Sequence, residues 1–194
     1  MVLFEEILLL THILFYVTVR LRFAYPIDEG GKEIMADQEK LNQAAVYAYV
    51  TLCSALDSKN WKYERHDQDL KITCSATGDD LPMELVIKVD PTKQMVTLLS
   101  HLPFTVPEDK RLDAAVAVSL INNCLVDGCF DFDIAEGHIF FRMSNSFIES
   151  QLSETVFLYL LFCGCQTIDE YNDKLLMLVK GMITIEKFIE VVNN

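Results

Sequence analysis

Two periodicities divide the chain from Asp37 onward. Between Asp37 and Ser58, Leu41, Ala45, Ala48, Leu52 and Leu56 recur at intervals of three and four residues, the spacing that aligns one face of an α-helix. Asp37 stands where an N-cap would be. The period then falls to two. "NWKYERH" opens a strand run, and in "LKITCSA" the apolar Leu70, Ile72, Cys74 and Ala76 alternate with Lys71, Thr73 and Ser75. "LPMELVIKVD" repeats the alternation through Met83, Leu85, Ile87 and Val89, and "QMVTLLSHLP" supplies a fourth strand. Side chains two apart share a face of a strand, so each run predicts one buried and one wet face. The links, "TGDD" and Asp90-Pro91, are turn signals. Links this short join antiparallel neighbours.

The period lengthens again in "VPEDKRLDAAVAVSLINNCL", a second helix with Pro107 near its first turn and acids after it, as the helix dipole favours. At about 100° per residue, its apolar residues Val116, Leu120, Cys124, Ala117, Ile121, Ala114, Leu125 and Val118 span roughly 200°, about twice what a one-sided surface helix needs. Asp113 is the polar residue inside that arc. One part can cover a sheet and the rest needs a second surface, either the C-terminal helices of the same chain or a second subunit. The subunit reading makes Ala114, Ala117, Val118, Ile121 and Leu125 a partner or dimer interface. "CFDFDI" and "HIFFRM" then form a hairpin around "AEGH". Helical patterns follow from "SETVFLYLLFC" through "IDEYNDKLLMLVKG", with "TIEKFIEVV" as a last short helix. The predicted class is α+β: an antiparallel sheet of about six strands packed by helices, in the order helix, four strands, helix, two strands, helices.

The hairpin concentrates Asp127, Asp131, Asp133 and Glu136, which raises the question of a metal loop or an acid pair. Counted from Asp131 as an EF-hand, the sixth position is Glu136 instead of glycine and the twelfth is Arg142 instead of glutamate. Period two puts Asp131 and Asp133 on the wet face, where neighbouring carboxylates lack the contrasting environments that a general acid and base require. Arg142 could pair with either across the strands. Cys163 and Cys165 form a C-x-C, without the C-x-x-C spacing or the second pair of a zinc or redox site. Core cysteines are the reading preferred over thiol or metal chemistry. His12, His66, His101 and His138 are scattered, and no phosphate loop, dinucleotide fingerprint or nucleophile elbow occurs. No catalytic, cofactor-binding or metal-ligating residue is assigned, and no cofactor is expected.

With 51% hydrophobic and 23% charged residues, the 194-residue chain has the composition of a globular domain. Its net charge of −13 repels phosphate backbones, and no basic cluster offsets it, so nucleic acid is not an expected ligand. Six cysteines, lying mostly in apolar runs, read as reduced thiols of a cytoplasmic protein. Residues 1–34 depart from this pattern. The apolar run from Ile7 to Val19 follows Glu5 and Glu6 and lacks the basic start and small-residue cleavage site of a signal peptide. It is shorter than the ~20 residues of a membrane span. Three readings stand: an interfacial anchor within residues 1–22, a structural element, or a start wrongly placed upstream of Met35. The last rests on "EGGKEIM", which purine-rich codons resembling a ribosome-binding site can encode. The division expected is an apolar extension, 1–34, and a single domain, 35–194, with no membrane association unless the extension is translated.

One stretch carries a resemblance. "VIKVDPTKQMVTLLSHLPFTVPEDKRLDAAVAVSLINNCLVDGCFDFDIAEGHIFFRMS" resembles the YbjN family of bacterial proteins, through a strand ending in Val-Asp, the "LLSHLP…VPEDKR" passage into a helix ending in Asn, then "G-x-F-x-x-D" and "G-x-I-x-F-R". With "NWKYE" and the first helix it covers roughly Met35 to Phe147. The resemblance implies a fold like that of type III secretion chaperones: small, acidic, commonly dimeric proteins that hold polypeptide partners. It offers no catalytic residues to carry over. The expected function is that of a non-enzymatic, homodimeric, chaperone-like or regulatory protein-binding module. An enzyme using Cys163 and Cys165, or a membrane-tethered adaptor using residues 1–22, are the alternatives.

Overall fold

The computed structural model describes residues 31–192, with side-chain surroundings from Gln38 onward. The expectations attached to the 1–34 extension lie outside the described side chains. The chain divides between residues 39 and 40, and the sheet and the site belong to Lys40–Asn194. Helix α1 spans Gly31–Ser58, so Asp37 falls inside the helix and is not its N-cap. The predicted apolar face is otherwise the observed one: Ala45, Ala48, Leu52 and Leu56 are buried, joined by Tyr49, Cys53 and Ala55.

Six strands follow the alternation of the sequence: β1 Tyr63–His66, β2 Lys71–Thr77, β3 Pro82–Asp90, β4 Met95–Thr105, β5 Cys129–Asp133 and β6 His138–Ser146. All neighbours are antiparallel, in the order β1-β2-β3-β4-β6-β5. The fourth predicted strand, "QMVTLLSHLP", is β4. It lies between β3 and β6 and is therefore interior, whereas β1 and β5 form the edges. The registers bring every buried strand residue to one face. Ile72 stands opposite Ile87, Ile87 opposite Leu98, and Leu98 opposite Met143, and all four are buried.

The helices α2 (Arg111–Cys124), α3 (Glu154–Val179) and α4 (Ile185–Val192) join α1 in supplying the rest of the core. Gly164, the centre of "CGC", explains part of this packing. A Cβ there would lie 3.3 Å from both δ-methyls of Leu98 and 3.6 Å from the Phe141 ring, so glycine lets the middle of α3 settle directly on the sheet. The motif lies in the interior of one continuous helix.

The wide arc of α2 has an intrachain explanation. Ala114, Ala117, Val118 and Ile121 are buried and Leu125 is partly buried, all packed into the core that α3 and α4 also enter. The residues assigned to a subunit interface are thus already covered within one chain. The C-terminal helices supply a second surface for this part of the arc, whereas Val116 and Cys124, also within it, are exposed. On the same helix, Leu112 and Val116 are left exposed.

Candidate functional site

The four clustered acids do not converge. Asp131 pairs with Arg142, Nε to Oδ2 at 2.7 Å. Asp133 accepts from the backbone N–H groups of Ala135 and Glu136 at 3.0 and 3.1 Å, an Asx turn that closes the hairpin. Asp127 accepts from the Tyr159 hydroxyl on α3. Glu136 is exposed in the turn. Gly137 follows at φ +79°, where a Cβ would meet the Val106 carbonyl oxygen at 2.4 Å, so this turn requires glycine on two counts. Ile134, grouped by period with Phe130 and Phe132, is exposed because it has entered the turn.

Cys163 and Cys165 flank Gly164, and two residues of a helix separated by one point about 200° apart. They therefore do not form a pair. Burial pushes the Cys165 thiol up to about 12, which keeps it protonated and a poor nucleophile at neutral pH. Among the described residues, no group of three or more His, Cys, Asp or Glu is gathered as a metal ion would need, and no helix is long and apolar enough to cross a membrane.

The two sheet edges differ, and nothing in the hydrophobic pattern signals the difference. On β5, the Asn122 side chain donates from Nδ2 to the Phe130 carbonyl at 2.9 Å and accepts at Oδ1 from the Phe130 N–H at 2.8 Å. One amide side chain thereby occupies both outward-facing backbone groups of Phe130, the second of the five residues of β5. A sheet edge is a template for adding another strand unless it is covered. Asn122 supplies such a cover, and the sequence marked it merely as a residue ending a helix.

On β1 the side chains brace the strand, and among the described residues none bonds to its outer backbone. The Tyr49 hydroxyl donates to Asp67 Oδ1 at 2.9 Å, and Arg65 Nε donates to the same oxygen at 3.0 Å. The Arg65 guanidinium also stands 5.6 Å from the centre of the Tyr49 ring. Burial, followed by the bond to Asp67, pushes Tyr49 up to about 12. The bonds from Tyr49 and then Arg65 hold Asp67 below the usual carboxylate range. Tyr63 reaches back to Asp57 Oδ1 at 2.9 Å. β1 is thus fastened to α1 at both ends. Beside it lies a wide, shallow depression of about 380 Å³ lined by Lys62, Tyr63, Glu64, Thr73, Cys74, Ser75 and Glu84. The geometry suits an extended chain lying along β1 with its side chains over that depression.

No family model matches the sequence, and no curated protein does either. Among solved structures, the chain is similar to YbjN from E. coli, with 14% identity over 66% of this chain and 93% of that one and a TM-score of 0.48. It is also similar to a structure of the HopA1–SchA chaperone–effector complex, with 16% identity over 72% of this chain and 94% of that one and a TM-score of 0.43. These are the two resemblances that the sequence motifs led one to expect.

Proposed function

We propose that this chain is a non-enzymatic, chaperone-like protein that holds an extended segment of a polypeptide partner, working in the cytoplasm as a homodimer. The observation that carries the reading is the contrast between the edges: on β5 Asn122 occupies the outward backbone groups of Phe130, whereas β1 is braced by side chains beside a shallow depression. An added strand gains affinity from main-chain hydrogen bonds and selectivity from alternate side chains. The raised Cys165 thiol and the engagement of Asp131 and Asp133 in a surface pair and a turn weigh against the thiol and acid alternatives. All six cysteines are free, consistent with a reducing compartment.

Proline tests this directly, because it removes a donor and is tolerated on edge strands. Co-purification from the native host identifies the partner, and a synthetic peptide of the bound segment is then titrated into Glu64→Pro and Arg65→Pro. The variant whose altered N–H points outward should lose binding while keeping the circular dichroism of the sheet. Wild-type affinity in both folded variants refutes strand addition at β1. A catalytic rate abolished at Cys163 or Cys165, in a protein that brings down no partner, refutes the non-enzymatic reading.

A further inference from the structure

Residues of an antiparallel strand turn their backbone groups alternately to one side and the other, so bonds already made decide which groups of β1 are left for a partner. The Val89 N–H donates to the Leu70 carbonyl at 2.9 Å. Lys71 stands opposite Lys88, so Leu70 and Val89 face each other directly and form a bonded pair. Bonded pairs recur at every second residue, which makes Ile72–Ile87 and Cys74–Leu85 bonded pairs as well. Lys71 and Thr73 therefore direct their backbone groups to β1, where they meet His66 and Glu64. Tyr63 and Arg65 are left pointing out of the sheet.

The far edge gives the same answer independently. Asn122 engages both backbone groups of Phe130, so Phe130 points outward and Phe141, opposite it, turns to β4. From there the alternation runs through the bonded pairs Phe141–Ser100, Leu99–Val86, Ile87–Ile72 and Thr73–Glu64. Glu64 is again spent on β2, and Tyr63 and Arg65 again face out.

We infer that a segment held at β1 takes its main-chain hydrogen bonds from Tyr63 and Arg65 and carries a basic residue between the two residues that pair with them. The inference rests on the polypeptide-holding reading above and adds the register and the class of side chain. Bound antiparallel, like every other neighbour in the sheet, two residues of the segment, spaced by one, exchange N–H···O bonds with Tyr63 and Arg65. Their side chains fall on the helix side, where Cys74 and Ile72, opposite Tyr63 and Arg65, are buried. Apolar β-branched residues suit that side, next to the partly buried Tyr63 ring. The residue between them turns to the other face and stands beside Glu64. Glu64 is exposed and, among the described residues, in no ion pair, whereas Arg65 is already held by Asp67. Lys62 lies outside the strand. The uncompensated charge between the two open residues is therefore negative, and Lys or Arg matches it.

Amide hydrogen exchange of the full chain, read residue by residue by NMR, tests the outward groups with no partner present. The amides of Glu64 and His66, bonded to β2, should exchange roughly tenfold or more slowly than those of Tyr63 and Arg65. Any other pattern, including four amides that exchange alike, overturns the assignment. The capped peptide Ser-Thr-Val-Lys-Val-Thr-Ser then serves as the probe. Its affinity should fall by about tenfold when either valine is N-methylated and stay within about twofold when the lysine is. Glu64→Lys should weaken binding by about two- to fivefold, and a peptide with glutamate in place of its lysine should regain the loss. Sensitivity to N-methylation at the lysine instead of the valines overturns the register and leaves polypeptide holding standing. Binding that is indifferent to Glu64→Lys overturns the basic residue alone. The expected exchange pattern with no binding at millimolar peptide overturns strand addition at β1, while the outward groups stay as assigned.

Discussion

Asn172 lies in the core stripe of α3, fully buried, and within the described residues neither its Oδ1 nor its Nδ2 has a hydrogen-bond partner. An amide held away from water without partners costs free energy that an apolar side chain of similar volume does not. Asn172→Leu should therefore raise the unfolding free energy by about 1–3 kcal/mol in urea titration, and a fall would mean that the amide is engaged in the folded state. Asn122 makes the opposite case. Its amide is satisfied on both sides by the Phe130 backbone, so the same residue type costs stability in one place and seals a sheet edge in another. The difference lies in what each amide faces, and residue identity alone could not show it.

At the scale of elements, the β2–β3 turn and α3 meet through carboxylates. The Asp79 N–H donates to both oxygens of Asp169, at 3.1 and 3.2 Å, and at Gly78 a Cβ would collide with that same carboxylate at 1.8 Å. Asp80 stands beside this contact with its pKa raised, by loss of hydration first and then by Asp173, Asp169 and Asp79. A carboxyl whose pKa is higher folded than unfolded is neutral in both states at low pH and contributes nothing there. Above the folded pKa it is charged in both states, and the fold then bears the repulsion. Asp80→Asn should accordingly raise the thermal midpoint at pH 7, with the gain disappearing below about pH 4, near the unperturbed carboxyl pKa. An equal gain at both pH values would assign the effect to something other than charge. The alternating pattern announced this turn, but not that its carboxylates would confront those of a helix about ninety residues later.

For the molecule as a whole, the net charge of −13 acts over distances longer than any one contact. A partner segment carrying Lys or Arg would be drawn in by that field, and salt screens steering more strongly than it weakens main-chain hydrogen bonds. The association rate of the bound peptide should fall as salt is raised, while its dissociation rate changes little, as stopped-flow and surface-binding kinetics can resolve. A dissociation rate that climbs steeply with salt would place the affinity in ion pairs instead of in strand addition.

The order of elements, the strand faces and most of the core were legible along the chain, because burial on one side imposes period two on a strand and period 3.6 on a helix. The wet hairpin acids followed from the same rule, and so did the approach of Arg142 to Asp131. What the chain could not reveal depends on which elements become neighbours. Nothing local distinguishes β4, with partners on both sides, from β1, with one, since each strand's alternation reports burial of its face and says nothing about its edges. The broad apolar arc of α2 predicted a second surface, but only the packing of α3 and α4 showed that Ala114, Ala117, Val118, Ile121 and Leu125 find it within the same chain. Asn122 became an edge plug, and Gly164 the point where α3 touches Leu98, through contacts between residues distant in sequence. Periodicity encodes how much of each element is hidden; the assembled fold decides what hides it.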